Sequence, residues 1–190
     1  MTVRLGGVRR SALRMPRDEG RTIARMRAEA LTEIGRTHFN GRRYEAAYES
    51  FDQALRADPT FIRAQVAKAH VLKMLNRAAD ALALCDEVIV AHPDYATAHS
   101  TRGSALQSLG RSGEARAAYT RAVDLAPENA LVAYNYACFW ALEGNAPECQ
   151  KWLAKAIGLE PGRNTRAAID TDFTAFRDAD WFQQLIAFKR

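Results

Sequence analysis

Long apolar runs are missing from this 190-residue chain: segments such as Val88-Ile89-Val90-Ala91 and Tyr136 to Leu142 end quickly in polar residues. None approaches the roughly 18 consecutive apolar residues of a spanning helix, so no transmembrane segment is expected. Cysteine is scarce. Cys85, Cys138 and Cys149 show no Cys-x-x-Cys spacing, and an odd count leaves one unpaired, which points to a reducing compartment and to buried structural thiols. There is no Gly-rich phosphate loop, no nucleophile elbow and no pair of catalytic carboxylates. The four histidines, His38, His70, His92 and His99, form no His-Glu-x-x-His or similar ligand set. Neither catalysis nor a metal or cofactor is expected from these absences. Asp170, Asp172, Asp178 and Asp180 are close enough in sequence to suggest a divalent cation. Their spacing fits helix capping better, with Asp180 placed to cap a helix that starts at Trp181.

Lysine is also rare, five against 22 arginines, and the charge is uneven. Arg4, Arg9, Arg10, Arg14, Arg17, Arg21, Arg25 and Arg27 meet only Asp18 and Glu19, so residues 1–27 carry +6 of a formal net charge of +5 and the rest sums to −1. Residues 1–17 thus read as an Arg-rich arm: an anion-binding tail for nucleic acid or an acidic membrane surface, a disordered start, or a transit peptide. Arg9-Arg10 is followed by no apolar stretch, because Arg14 interrupts Ser11-Ala12-Leu13, so export is not expected and the cytoplasm is the default location.

What the chain does have is period. Pro59, Pro93, Pro127 and Pro161 recur every 34 residues. In the same register stand Ala54, Val88, Ala122 and Ala156; Phe51, Cys85, Tyr119 and Leu153; and Ala47, Ala81, Ala115 and Cys149. A further column, Gly35, Ala69, Gly103 and Ala137, holds only the two smallest side chains, as a close approach between two helices requires. Within each unit the apolar positions follow a helical period twice around a breaker, so each unit is a pair of helices. Leu31, Ile34, Gly35 and His38 share one face of the first, and Gly41 suits the left-handed residue beyond its end, with Asn76, Gly110 and Gly144 in similar places later. Each proline stops the second helix. Ile23, Met26, Ala30 and Ile34 continue the first helix backwards to about residue 18.

Leu31-x-x-Ile34-Gly35-x-x-His38, Ala47-x-x-x-Phe51 and Pro59, with His99-x-x-Arg102-Gly103-x-x-Leu106, Ala115-x-x-x-Tyr119 and Pro127, resemble the tetratricopeptide repeat, although its leading Trp is absent throughout. The resemblance covers about residues 28–161. It implies an all-α, right-handed superhelical solenoid of four helix-turn-helix repeats (about 28–61, 62–95, 96–129 and 130–163). The segment 162–190, with Phe173, Phe176, Trp181, Phe182, Leu185 and Ile186, resembles the end-of-group segment of bacterial members and reads as a C-terminal helical cap over an apolar edge.

The resemblance further implies a concave face lined by the first helix of each pair, here Arg36, Arg63, His70, Lys73, Thr97, Thr101, Ser104, Gln107, Tyr134 and Asn135. Such a surface fits an extended peptide, with hydroxyls and amides bonding its backbone and the cations attracting an acidic segment; a solvated face with no ligand is the plainer alternative. Chaperone-binding members clamp a terminal carboxylate with lysines and asparagines. The corresponding positions here are Thr32, Arg36, Ala67, Thr97 and Thr101, so binding to acidic heat-shock tails is not expected. The resulting expectation is a protein-interaction module, an adaptor or assembly factor with a protein or peptide partner, with self-association through exposed solenoid ends as a further possibility.

Overall fold

The computed structural model describes residues 17–187, so the Arg-rich arm, apart from Arg17, lies outside the described residues. Eight helices form four antiparallel pairs: α1 Arg17–Asn40 with α2 Tyr44–Ala57, α3 Ile62–Met74 with α4 Ala78–Ala91, α5 Ala96–Ser108 with α6 Ser112–Leu125, and α7 Ala130–Leu142 with α8 Ala146–Leu159. Two short helices, α9 Arg163–Ile169 and α10 Asp180–Ile186, follow, with a 3-10 turn Thr171–Phe176 between them. Each helix packs on its own partner and on the neighbouring pair, the arrangement of a solenoid.

The turns repeat as strictly as the sequence does. After each first helix the chain passes through one left-handed residue, Arg42, Asn76, Gly110 or Gly144, with φ of 56, 60, 72 and 71°. The next residue donates its N–H back across five positions, from Arg43 to His38, Arg77 to Leu72, Arg111 to Leu106 and Asn145 to Trp140, at 2.9 Å in all four repeats. These bonds satisfy carbonyls that the helix end would leave open. The expected left-handed position at Gly41 is corrected to Arg42: the 34-residue register, not the nearest glycine, decides which residue turns. After each second helix, Asp58, His92, Ala126 and Glu160 donate one last N–H into the helix and precede the proline, whose ring disfavours helical geometry in the residue before it.

Packing within each pair is a matter of paired volumes. Gly35 faces Phe51 and Gly103 faces Tyr119; a Cβ on either glycine would lie 2.5 or 2.9 Å from the ring. Where the first helix carries alanine instead, at Ala69 and Ala137, the facing residue shrinks to Cys85 or Leu153, all four fully buried. Large meets smallest and medium meets small, so density is preserved along the solenoid.

Between pairs a second column runs at a separation of 16 residues. Lys68 Nζ donates to Asp52 at 2.7 Å, Arg102 Nε to Asp86 at 2.6 Å, and Tyr136 and Thr120 share a hydrogen bond of 3.1 Å. Each joins a first helix to the second helix before it. The Lys68 ammonium bonded to Asp52 holds that carboxyl below its usual range.

The C-terminal segment covers the last repeat. Phe173 and Phe182, both fully buried, pack with Leu153, Ala156 and Ala167, and Trp152, Trp181, Leu185 and Ile186 close around them. Burying a side chain of that size is worth about 1.5–3 kcal/mol. The capping expected of Asp180 is not made: α10 is entered from Ala179 without a side-chain cap, and Asp180 occupies the first turn. Asp170 is the residue that caps, accepting from the Asp172 N–H at 3.2 Å.

Candidate functional site

One cavity of about 680 Å³ lies on the concave side, and the 34-residue register explains which side chains line it. Phe39, Lys73 and Gln107 form one column; Asn40, Met74, Ser108 and Leu142 another; Thr101, Asn135 and Ile169 a third; and His70, Ser104, Cys138 and Asp172 a fourth. The last two columns run past Pro161 into the C-terminal segment. There α9 and the 3-10 turn stand where a fifth first helix would, interrupted at Asp170, whose backbone is extended. The segment that covers the apolar edge therefore also walls the groove, through Arg166, Ile169, Asp170, Thr171 and Asp172.

Of the ten residues singled out from sequence, His70, Lys73, Thr101, Ser104, Gln107, Tyr134 and Asn135 come together in this lining. Arg36, Arg63 and Thr97 stand outside it. Arg36 and Arg63 both bond Glu33 Oε1 at 3.2 Å, which pins the two guanidinium groups to α1. Thr97 contributes its carbonyl, which accepts from the Thr101 hydroxyl at 2.9 Å. Thr32 is buried and donates to the Ala28 carbonyl at 2.7 Å, so it too is turned away from a ligand.

The cavity carries charges of both signs. Arg42, in the turn after α1, and Lys73, in the last turn of α3, have no carboxylate within ion-pairing distance among the described residues. The C-terminal segment contributes two carboxylates. Asp170 accepts from the Tyr134 hydroxyl at 2.9 Å, with Arg166 4.0 Å away, and burial together with Asp170 raises the Asp172 carboxyl above its usual range. The His70 ring lies 4.8 Å from that of Phe39. Burial first, then the cations of Lys73 and Arg166, push its pKa down to about 3, so the imidazole is neutral at pH 7. Cys138, Asp170 and Asp172 bring their ligand-type atoms within 4.8 Å of one another. Their bonds are internal: burial holds Cys138 as a thiol beside the Asp172 carboxyl, and the Asp170 oxygens are taken by Tyr134 and the Asp172 amide. Asn135 donates to Ser100 at 3.0 Å, which fixes its amide between α5 and α7.

Arg166, Ile169, Asp170 and Asp172 were missed from sequence; for Ile169 and Asp172 there was a signal, whereas Arg166 and Asp170 stand in register with columns that do not line the cavity. One further count of 34 from Thr101 and Asn135 reaches Ile169, and from Ser104 and Cys138 reaches Asp172.

Residues 41–104 match one family model of the tetratricopeptide repeat and residues 96–129 match a second. These matches cover residues 41–129, and with the four repeated hairpins they identify tetratricopeptide repeats in this chain. Among solved structures it is similar to TTC0263, a thermophilic tetratricopeptide repeat protein of Thermus thermophilus, with a TM-score of 0.70 at 19% identity over 83% of this chain and 87% of that one. The first repeat domain of Spaghetti (RPAP3), bound to the HSP90 peptide SRMEEVD, gives 0.53 at 24% identity over 67% of this chain and 91% of that one. The Arabidopsis OM64 repeat domain gives 0.54 at 21% identity over 59% and 93%. At these identities the likeness is one of fold. No curated protein sequence matches the chain.

Proposed function

We propose that the protein is an interaction module, an adaptor or assembly factor of the cytoplasm, that holds an extended segment of a partner protein in the concave cavity. The observation that carries this reading is the lining itself: polar side chains from all four repeats and the C-terminal segment converge on about 680 Å³. Ser104, Gln107 and Asn135 offer hydroxyl and amide groups to a peptide backbone, while Phe39 and Tyr44 offer apolar faces. The solved domain that holds an HSP90 peptide supports peptide capture as a use of this fold. An acidic tail of that kind suits this cavity poorly, because Arg36 and Arg63 are engaged by Glu33 and the floor carries Asp170 and Asp172.

The test is selection of binders from a displayed library of random peptides, followed by titration of the selected peptides against two variants. Ser104→Trp fills the cavity and Lys73→Glu reverses one of its cations. The reading predicts at least about tenfold weaker binding to each, a loss of roughly 1.4 kcal/mol. Unchanged affinity for both variants would sink it.

A further inference from the structure

The helix α1 presents a face that every other first helix keeps covered. Ala30 stands in register with Ala64, Ala98 and Val132, all fully buried against the second helix of the preceding pair, yet Ala30 is exposed. Ile34 stands in register with Lys68, Arg102 and Tyr136, which reach across to that preceding helix; it is 49% exposed. Ile23 and Met26 continue the stripe at 53 and 63% exposure, on the part of α1 that has no counterpart in the other repeats. The four side chains fall within about 80° of the helix circumference and span about 16 Å. None of them lines the cavity.

We propose that this face is the interface of a homodimer in which the α1 helices of two copies pack antiparallel. Two observations select a second copy. The C-terminal edge is covered by α9, the 3-10 turn and α10, so head-to-tail stacking has no receiving surface and only a two-fold, closed contact remains. The stripe is also self-complementary when reversed: about a point between Ala28 and Glu29, Ile23 falls opposite Ile34 of the second copy, and Met26 beside its Ala30, large against small. Of the flanking charges, Arg25 is matched with Glu29 and Arg36 and Arg63 with Glu33, while Arg27, beside the stripe, has no ion pair among the described residues and opposes the contact. One helix face is small against the roughly 1,200 Å² of a stable interface, so association is expected at concentrations on the order of 10–100 µM.

Sedimentation equilibrium of the full chain across that range tests the proposal, with Ile23→Glu as the variant and Met26→Cys mixed with Ala30→Cys as a cross-linking probe. A dimer that Ile23→Glu weakens at least tenfold, and a mixture that links more readily than either cysteine variant alone, is the result expected. A chain monomeric throughout, or a dimer indifferent to Ile23→Glu, overturns the proposal. So does association that emerges only after removal of residues 1–16, which would assign the stripe to the chain's own N-terminal residues. Peptide binding in the cavity is read separately, because the stripe and the lining share no residue.

Discussion

At the C-terminal end of the solenoid, Phe173 and Phe182 are fully buried against Leu153 and Ala156, whereas at the N-terminal end Ile23, Met26 and Ile34 stand 53, 63 and 49% exposed. The difference shows what a repeat leaves unfinished. Every internal first helix has a second helix before it and every internal second helix has a first helix after it; the two ends each lack one. This chain supplies the missing layer at one end from its own sequence, and in doing so places Asp170 and Asp172 in the groove. At the other end the described residues supply none, and the internal pattern continues, apolar, into solvent.

The comparison can be broken most severely at Phe173. Replacing it with alanine should cost about 3–5 kcal/mol in chemical denaturation, since both the buried ring and its packing are lost, while Ile23→Ala should stay within about 0.5 kcal/mol. Similar losses for the two would mean that the ends are equally covered. Next in size is the interior that both ends share. Ala115→Leu, at a fully buried position, should overpack the third pair by roughly 1–3 kcal/mol, and an unaltered melting temperature would contradict the packing described. Gly35→Ala should act in the same direction, because its Cβ would lie 2.5 Å from the Phe51 ring.

A smaller effect follows from His70. With its pKa near 3 in the fold and near 6.5 in the unfolded chain, the unfolded state takes up a proton first as pH falls, so stability decreases from pH 7 towards pH 5. His70→Gln should flatten that decline; Asp172, raised by burial, works in the opposite sense, gaining stability as pH falls through its folded pKa. An identical pH profile for wild type and variant would show that the imidazole is not shielded. The smallest expected change is at the first turn, where Arg42 adopts φ of 56° while Gly110 and Gly144 serve the same place later. Arg42→Gly should raise stability by about 0.5 kcal/mol, the left-handed strain relieved less the added backbone entropy of glycine; a loss would mean that the arginine side chain stabilises the turn.

Much of this architecture was legible because buried columns tolerate few residue types. Prolines at one fixed spacing, and glycine wherever an aromatic ring faces it, locate the helices and their partners. Groove residues were legible only through family geometry, and Arg36 and Arg63 show the limit: a basic residue at a concave position can be captured by a neighbour such as Glu33, which no spacing reveals. The exposure of Ile34 was illegible for a related reason. Its place in the helical pattern suits a buried face, but what covers that face in other repeats is the preceding helix, and α1 has none. In the C-terminal segment the aromatic residues announce a cap, and their strength masks the continued count of 34 that carries Ile169 and Asp172 into the cavity.

In the function proposed above, a partner is held in the cavity lined from α1, α3, α5, α7 and the C-terminal segment. Hydrogen exchange of the full chain, with and without a selected peptide, addresses it most directly. The account predicts that one peptide slows exchange in α5, α7 and residues 171–176 together, because they line a single cavity. Protection confined to α2, α4 and α6, or to the first turns of α1, would contradict it.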